Sequence, residues 1–280
     1  MSGDRNKFKY ESKLIFGLHP EGIFEIKFHD PKKKNSFFGK TQRKLVELLH
    51  YANMDDRVKC VLLHGGALFS SGNDVEAFQI GREDYDIVEA YAKKMVDTIF
   101  KPFMTALFDL EKPLIAVVRQ VAVGIAFTML GLADFVYCTP ETKFFTPFMQ
   151  SFQSPEGGSS YYFPQIFGRK LANEIIMNDR PLSAEEAVKA GFVNQILHDI
   201  NPKEEYFDLL KIPCMPKLLS NNVETMVTAK RLLNQGQNRE AMLDVFIREA
   251  DALYAIWVNK EFPRKMMIYL LSLNQRPKPK

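Results

Sequence analysis

Two short apolar runs constrain this chain more than anything else in it. "VKCVLLHG" (58–65) and "KPLIAVV" (112–118) are apolar on successive residues, so neither has a side to give to water. Runs of this length and composition read as strands buried inside a domain. Residues 39–53 place Leu45, Leu48, Leu49 and Ala52 at helical spacing. Residues 83–110 do the same with Val88, Tyr91, Ala92, Met95, Ile99 and Phe103. Strand and helix in alternation predict an α/β core.

The rest of the first 200 residues continues the alternation. Lys13–Leu18 and "GIFEIKFHDP" (22–31) suggest a hairpin turning at "HPEG". "VGIAFTMLGLAD" (123–134) is apolar nearly all round and predicts a buried helix. "FVYC", "TKFFTPF" (142–148) and "FVNQIL" read as strands. "SAEEAVKAG" (183–191) reads as a helix with Ser183 as N-cap, Glu186 at the capping-box position and Gly191 as the stop. Beyond residue 203 the pattern is helical only: 203–212, 216–235, 238–257 and 261–272. The expected organisation is a core over 12–200, a helical subdomain over 201–272 and a basic tail over 273–280. Met226, Leu232, Leu233, Leu243, Ile247, Leu253, Trp257 and Met267 exceed what a small appendage needs. They predict packing against another subunit, back onto the same chain, or both.

Composition excludes several classes. With 37 basic and 34 acidic residues the net charge is +3, without the basic excess of a nucleic-acid binder. Cys60, Cys138 and Cys214 have no metal-ligand spacing; they fit small buried groups in a reducing compartment, and no metal is expected. The apolar stretch from Val121 to Ala133 is shorter than the ~20 residues that span a bilayer. The N-terminus has no secretory pattern, and "QRPKPK" is not a peroxisomal address of the SKL type.

Three loops carry candidate chemistry. "FSSGND" (69–74) and "VAVGIAF" each follow a buried strand and place glycine among small residues. Backbone N–H groups can there be left free and aimed at a ligand, as in an oxyanion hole. In "SPEGGSS" (154–160), Glu156 lies near Phe148, Phe152, Tyr161, Tyr162 and Phe163. Apolar walls disfavour the charged form of a carboxyl and make it a better base; a plain carboxylate at a helix start would also fit. The triplet Lys32, Lys33, Lys34 reads as a solvated turn or as a phosphate contact.

These segments together resemble the crotonase (enoyl-CoA hydratase/isomerase) superfamily over residues 12 to 272, and within it the peroxisomal-type Δ3,Δ2-enoyl-CoA isomerases. "PKKKNSF", "FSSGNDVEAF", "KPLIAVV…AVGIAFTMLGLADFVYC", "TKFFTPFMQSFQSPEGGSSYYFPQIFG" and "LSAEEAVKAGFVNQI" carry the resemblance. It implies a spiral ββα core and an acyl-CoA substrate, with no cofactor beyond the CoA of that substrate. It also implies a homotrimer or hexamer, and a peroxisomal or mitochondrial-matrix location. The oxyanion donors would be the amides of Asn73 and Ile125. Ser71, Gly72, Asn73, Asp74 and Val75 would bind CoA, Lys32, Lys33 and Lys34 would meet its phosphates, and Arg264 or Lys265 could reach a neighbouring subunit's ligand. Glu156 would carry a proton from C2 to C4.

The two glutamates of the hydratases are replaced by Thr128 and Phe148. "RQVAVG" stands where relatives commonly read "NGPAVG", with Arg119, Gln120 and Val121 in place of Asn-Gly-Pro. Two alternatives accompany the isomerase reading. One is a dienoyl-CoA isomerase or another CoA-enolate enzyme. The other is a non-catalytic acyl-CoA-binding module such as the crotonase-like domain of chromodomain Y-like proteins.

Overall fold

The computed structural model describes residues 8–75, 85–201, 204–235 and 238–275. Its centre is a seven-stranded sheet. At one edge β1 (Lys9–Glu11), β2 (Leu14–Leu18) and β3 (Ile23–Phe28) run antiparallel. The β2–β3 turn falls at the expected "HPEG", closed by the Gly22 amide donating to the His19 carbonyl at 3.0 Å. α1 (Lys40–Met54) crosses to β4 (Cys60–His64), which pairs parallel with β3. α2 (Tyr85–Met95) runs through a π-helical turn (Val96–Phe100) into α3 (Lys101–Phe108). Pro102 accounts for that turn, because its ring clashes with the carbonyl four residues back and it has no N–H to continue the ladder. β5 (Leu114–Val118) then adds parallel to β4, and every residue of both strands is buried. That burial matches their unbroken apolar sequences.

A second, three-stranded sheet was not anticipated. β6 (Val121–Val123) leads through Gly124 into α4 (Ile125–Thr128) and a 3₁₀ turn, Met129–Leu132. The helix expected over 123–134 is therefore only a short one preceded by a strand. Ser70 and β8 claim the backbone groups of 121–123 before a helix can use them. β7 (Phe135–Cys138) returns to the large sheet. β8 (Lys143–Phe145) is shorter than the expected strand, because Pro147 offers no amide and the Thr146 hydroxyl turns to the Ile175 carbonyl. α5 (Ser159–Ile166) and α6 (Gly168–Met177) follow, then β9 (Leu182–Ser183), α7 (Ala184–Lys189) and β10 (Gln195–Ile196). α7 has the capping box read from the sequence, with the Glu186 amide donating to Ser183 Oγ.

The helices beyond residue 200 depart from expectation in two places. Residues 204–208 are not helical, and a single 3₁₀ turn, Leu209–Lys211, stands where 203–212 was read as a helix; residue 203 lies outside the described residues. The Arg119 guanidinium takes the carbonyls of Asn201 and Glu204, both at 2.6 Å, acceptors that a helix would spend on its own amides. The expected 216–235 helix is two, α8 (Met215–Ser220) and α9 (Val223–Gln235). They are divided where the Asn222 side chain accepts the Thr225 amide at 2.8 Å. α10 (Arg239–Trp257) and α11 (Phe262–Gln275) complete the chain, α11 taking in residues 273–275 of the expected tail.

Packing explains why the C-terminal helices matter to the core. One sheet face, with Phe24, Ile26, Leu63 and Ala116, shares a cluster with α1, α3 and the α10 residues Met242, Phe246 and Leu253. The other face, with Ile23, Leu62 and Val117, is covered by Leu209, Ile212, Met215 and Leu218. Trp257 is buried as well, whereas Leu232, Leu233, Ile247 and Met267 remain exposed. The C-terminal stretch therefore packs onto its own chain and keeps an apolar outer side.

Candidate active site

The first glycine loop leaves β4 and is shaped by a side chain that the sequence reading passed over. The Asn35 side-chain amide reaches the carbonyls of Gly65, Leu68 and Phe69 at 3.0, 2.7 and 3.3 Å. The Ser70 hydroxyl donates to the Asn35 carbonyl at 2.7 Å and accepts the Gly72 amide at 3.0 Å. These bonds use inward groups of the loop and leave the Asn73 amide without an acceptor among the described residues. The Asn73 side chain also has a buried, unpartnered Oδ1.

The second loop lies directly against the first. Ser70 and Ala122 form a parallel bridge, with the Ser70 amide donating to the Val121 carbonyl and the Val123 amide to the Ser70 carbonyl, both at 3.2 Å. A Cβ on Gly72 would sit 2.2 Å from the Val123 carbonyl oxygen, so only glycine permits this approach. Gly124 adopts φ +55 and donates to the Phe145 carbonyl at 2.8 Å. Its carbonyl accepts from Phe127 and Thr128, and the Ile125 amide at the start of α4 donates to nothing among the described residues. The unusual "RQV" entry has its own anchors. Arg119 is fully buried and bonded to the carbonyls of Asn201 and Glu204, and Gln120, at φ +60, donates its side-chain amide to the Ala67 carbonyl.

Glu156 arrives on the third segment and is pressed onto the second. Gly157 and Gly158 both have left-handed backbones, at φ +72 and +77. A Cβ on Gly157 would lie 2.2 Å from Thr128 Oγ1 and 3.2 Å from Ile125 Cδ1. Glu156 is 7% exposed, and its carboxyl accepts no hydrogen bond among the described residues. Burial, with the nearby Glu249 carboxyl, pushes it up to about 8. Ser154 Oγ, Ser159 Oγ and Gln153 Nε2 are also buried and unpartnered. Three of the six such atoms among the described residues, counting Asn73 Oδ1, thus fall in these three loops, and Gln153 adjoins the third. Native proteins pair nearly all buried polar groups, so a local cluster of exceptions marks a place built for something else.

Glu249, from α10, was not anticipated. Its carboxylate accepts the Gly158 amide at 2.8 Å, the Ser160 amide at 3.0 Å and the Ser160 hydroxyl at 2.6 Å. Burial pushes the Glu249 carboxyl up, and these three donors oppose that.

The remaining candidate residues fall in two places. Lys32 and Lys33 lie in a 3₁₀ turn, Pro31–Lys33, ending at a left-handed Lys34, with all three exposed. The Ser71 amide donates to the Lys34 carbonyl at 3.0 Å, so the triplet borders the first loop. Asp74 sits within 3.5 Å of Lys33 and 3.9 Å of Lys13, and Val75 is the last described residue before 85. Arg264 pairs with Glu261, and Lys265 lies over the Phe152 ring beside a cavity of about 270 Å³ lined by Phe148, Ile256 and Phe262. Thr128 and Phe148 are buried. Free backbone amides can hold a developing oxyanion, and an unpaired carboxyl can move a proton.

Comparison with known proteins identifies the family and the fold. The sequence pattern described as Enoyl-CoA hydratase/isomerase matches residues 19–271. Human Enoyl-CoA delta isomerase 2 is 33% identical over 271 residues, covering 95% of this chain and 65% of the human protein. Mouse Enoyl-CoA delta isomerase 3, peroxisomal, is 35% identical over 202 residues, covering 72% of this chain and 62% of the mouse protein. This chain thus spans just under two thirds of the length of these relatives. The solved structure of Pseudomonas aeruginosa OdaA superposes with a TM-score of 0.81 at 25% identity, covering 93% of this chain and 99% of that one. The fold is the crotonase fold that the sequence led us to expect.

Proposed function

Because the chain belongs to the enoyl-CoA hydratase/isomerase family, we propose that it is a Δ3,Δ2-enoyl-CoA isomerase acting in the oxidation of unsaturated fatty acids. The observation that carries this reading is one arrangement: an unpaired, buried Glu156 followed by Gly157, which packs on α4, whose first amide, with that of Asn73 on the touching loop, is free. The thioester oxygen of a 3-enoyl-CoA accepts from both amides. As a C2 proton leaves for Glu156, charge moves onto that oxygen, and each amide contributes about 3 kcal/mol to holding it. The same carboxyl, now protonated, gives a proton back at C4, and the double bond comes to rest between C2 and C3. A carboxyl that titrates near 8 suits both halves of the task at neutral pH, because it is a strong base when ionised and a ready acid when not.

Water addition is disfavoured by the same residues. A hydratase needs groups that hold and activate water, and Thr128 and Phe148 put a buried methyl-bearing alcohol and a buried ring where carboxylates would be required. Ser71 to Val75 and Lys32 to Lys34 form one border and would receive the CoA portion, the lysines as point charges for its phosphates. No cofactor is needed, since the double bond moves without net redox change. The exposed apolar outer side of α9 and α11 fits assembly as a trimer or hexamer. The printed name of the mouse relative favours a peroxisomal setting over the mitochondrial matrix.

The test is the purified chain with 3-hexenoyl-CoA and, separately, with crotonyl-CoA. Conversion of the first to 2-hexenoyl-CoA without 3-hydroxyacyl-CoA from the second is the expected result. Hydration of crotonyl-CoA, or binding of CoA with turnover of neither, would overturn the reading in favour of a hydratase or a binding module.

A further inference from the structure

We infer that Glu249, brought in from α10, is a positioning residue for the reaction: its carboxylate clasps the backbone of the segment that carries Glu156. α5 has no side-chain cap of its own, because Gly158 occupies its N-cap position. Its first amides would be left unpaired in a buried place. Glu249 supplies the missing acceptor from a distant helix, taking the amides of Gly158 and Ser160 and the Ser160 hydroxyl. Three donors on one carboxylate fix two left-handed glycines and the helix start in a single geometry. Glu156 sits two residues before the first of these donors, and Gly157 between them packs on Thr128 and Ile125 of α4, so the placement of Glu156 depends on that clasp. Phe246, one turn earlier on α10, seals the same corner, 3.2 Å from where a Gly158 Cβ would be.

A cap of this kind has a second consequence that a serine or asparagine cap lacks. It places a like charge beside the acid–base group in a dry site, and the ionised forms of the two carboxyls oppose each other. Other titratable groups are sparse there. Among the described residues α4 presents Ile125 and Thr128, and α5 presents Tyr162, whose phenol burial pushes well up. Arg248, beside Glu249 in sequence, is exposed and pairs with Asp244 instead. Glu249 is therefore the charge through which the C-terminal helices bear on Glu156. The clasp rests on geometry alone; its relevance to turnover rests on the isomerase reading.

The experiment uses the full chain with ¹³C-labelled glutamate side chains, titrated by NMR, alongside the pH dependence of kcat and KM with 3-hexenoyl-CoA. The wild type should show a midpoint near 8 that E156Q removes. E249Q should move that midpoint to lower pH by about one unit. It should also lower kcat about tenfold with KM little changed, as expected for misplacement of a reacting group. E249D, which keeps the charge, should return the midpoint toward its wild-type position. E156Q should leave the Glu249 midpoint in place, because Glu249 ionises while Glu156 still holds its proton. A folded E249Q whose Glu156 midpoint and kcat are both unmoved would overturn the inference. If E249Q does not fold, E249D decides: its shorter side chain cannot hold all three donors, so kcat should fall, and an unmoved kcat would overturn the inference. A wild type that turns over no 3-enoyl-CoA but shows the E249Q shift of the Glu156 midpoint would remove the isomerase reading and leave the clasp standing.

Discussion

Glu25 on β3 and Glu156 ahead of α5 are both carboxylates withdrawn from water, and their surroundings differ in almost every respect. Glu25 is 0% exposed and meets His19 Nε2 at 2.6 Å and His64 Nε2 at 3.0 Å. The Gly66 amide donates to His64 Nδ1, which places the His64 proton on Nε2, facing the carboxylate. Each polar atom there has been given something to do, and the cluster sits between a sheet face and the 204–207 strip. Glu156, nearly as buried, has no donor among the described residues and neighbours that are themselves unpartnered. A satisfied buried carboxylate stabilises a fold by completing its network. An unsatisfied one costs stability and persists where chemistry needs it. On the proposed isomerase reading, the two glutamates divide structure from function within one domain.

That division can be broken most forcefully at Glu25. E25A leaves two buried imidazoles facing an empty space and should lower stability by about 3–5 kcal/mol, measured by urea unfolding. The folded fraction should keep its kcat. A large loss of kcat in folded E25A would move this cluster into the reaction. G157A should come next. A Cβ there meets Thr128 at 2.2 Å on a left-handed backbone, which should cost about 2 kcal/mol and lower kcat by more than tenfold. N35A removes the brace under the first glycine loop and should destabilise by about 1–3 kcal/mol, with kcat falling more than KM rises. A KM effect alone would assign Asn35 to CoA binding.

The last effect concerns pH and stability. The Glu156 carboxyl titrates near 8 when folded against an ordinary value of 4.5, so between those limits the folded state holds a proton that the unfolded state has lost. Its penalty is absent below about 4.5, grows as pH rises and is complete above about 8. Thermal melts should therefore show E156Q gaining several degrees on the wild type between pH 5 and pH 9. A gap that stays constant with pH would mean that Glu156 is not held neutral by its site.

Much of this was legible in the chain because the signals were local. The strands around Val61 and Ile115 are apolar throughout, and the loops that hold Gly72 and Gly124 come after them. Glu156 stands between proline and glycines, a setting that serves no core. What escaped depends on partners far along the chain. Glu249 looks like any carboxylate on an amphipathic helix until it meets an amide 91 residues earlier. Asn35 lies in a segment whose three lysines drew the reading, and its role appears only when Gly65, Leu68 and Phe69 turn their carbonyls to it. Val121–Val123 has the composition of a buried helix, yet pairing with Ser70 and β8 makes it a strand. The 204–208 strip lost its expected helix to a guanidinium 82 and 85 residues away. Periodicity reports what a segment prefers, and long-range hydrogen bonds decided these four cases against or beyond that preference.

The central claim is that Glu156 is the acid–base group facing two free amides. It is tested most directly by the initial rate of 2-hexenoyl-CoA formation from 3-hexenoyl-CoA by wild type and E156Q, with folding checked by circular dichroism. The account predicts a wild type that turns over and a folded E156Q slower by about 10²–10⁴-fold. A folded E156Q that isomerises at the wild-type rate would contradict it.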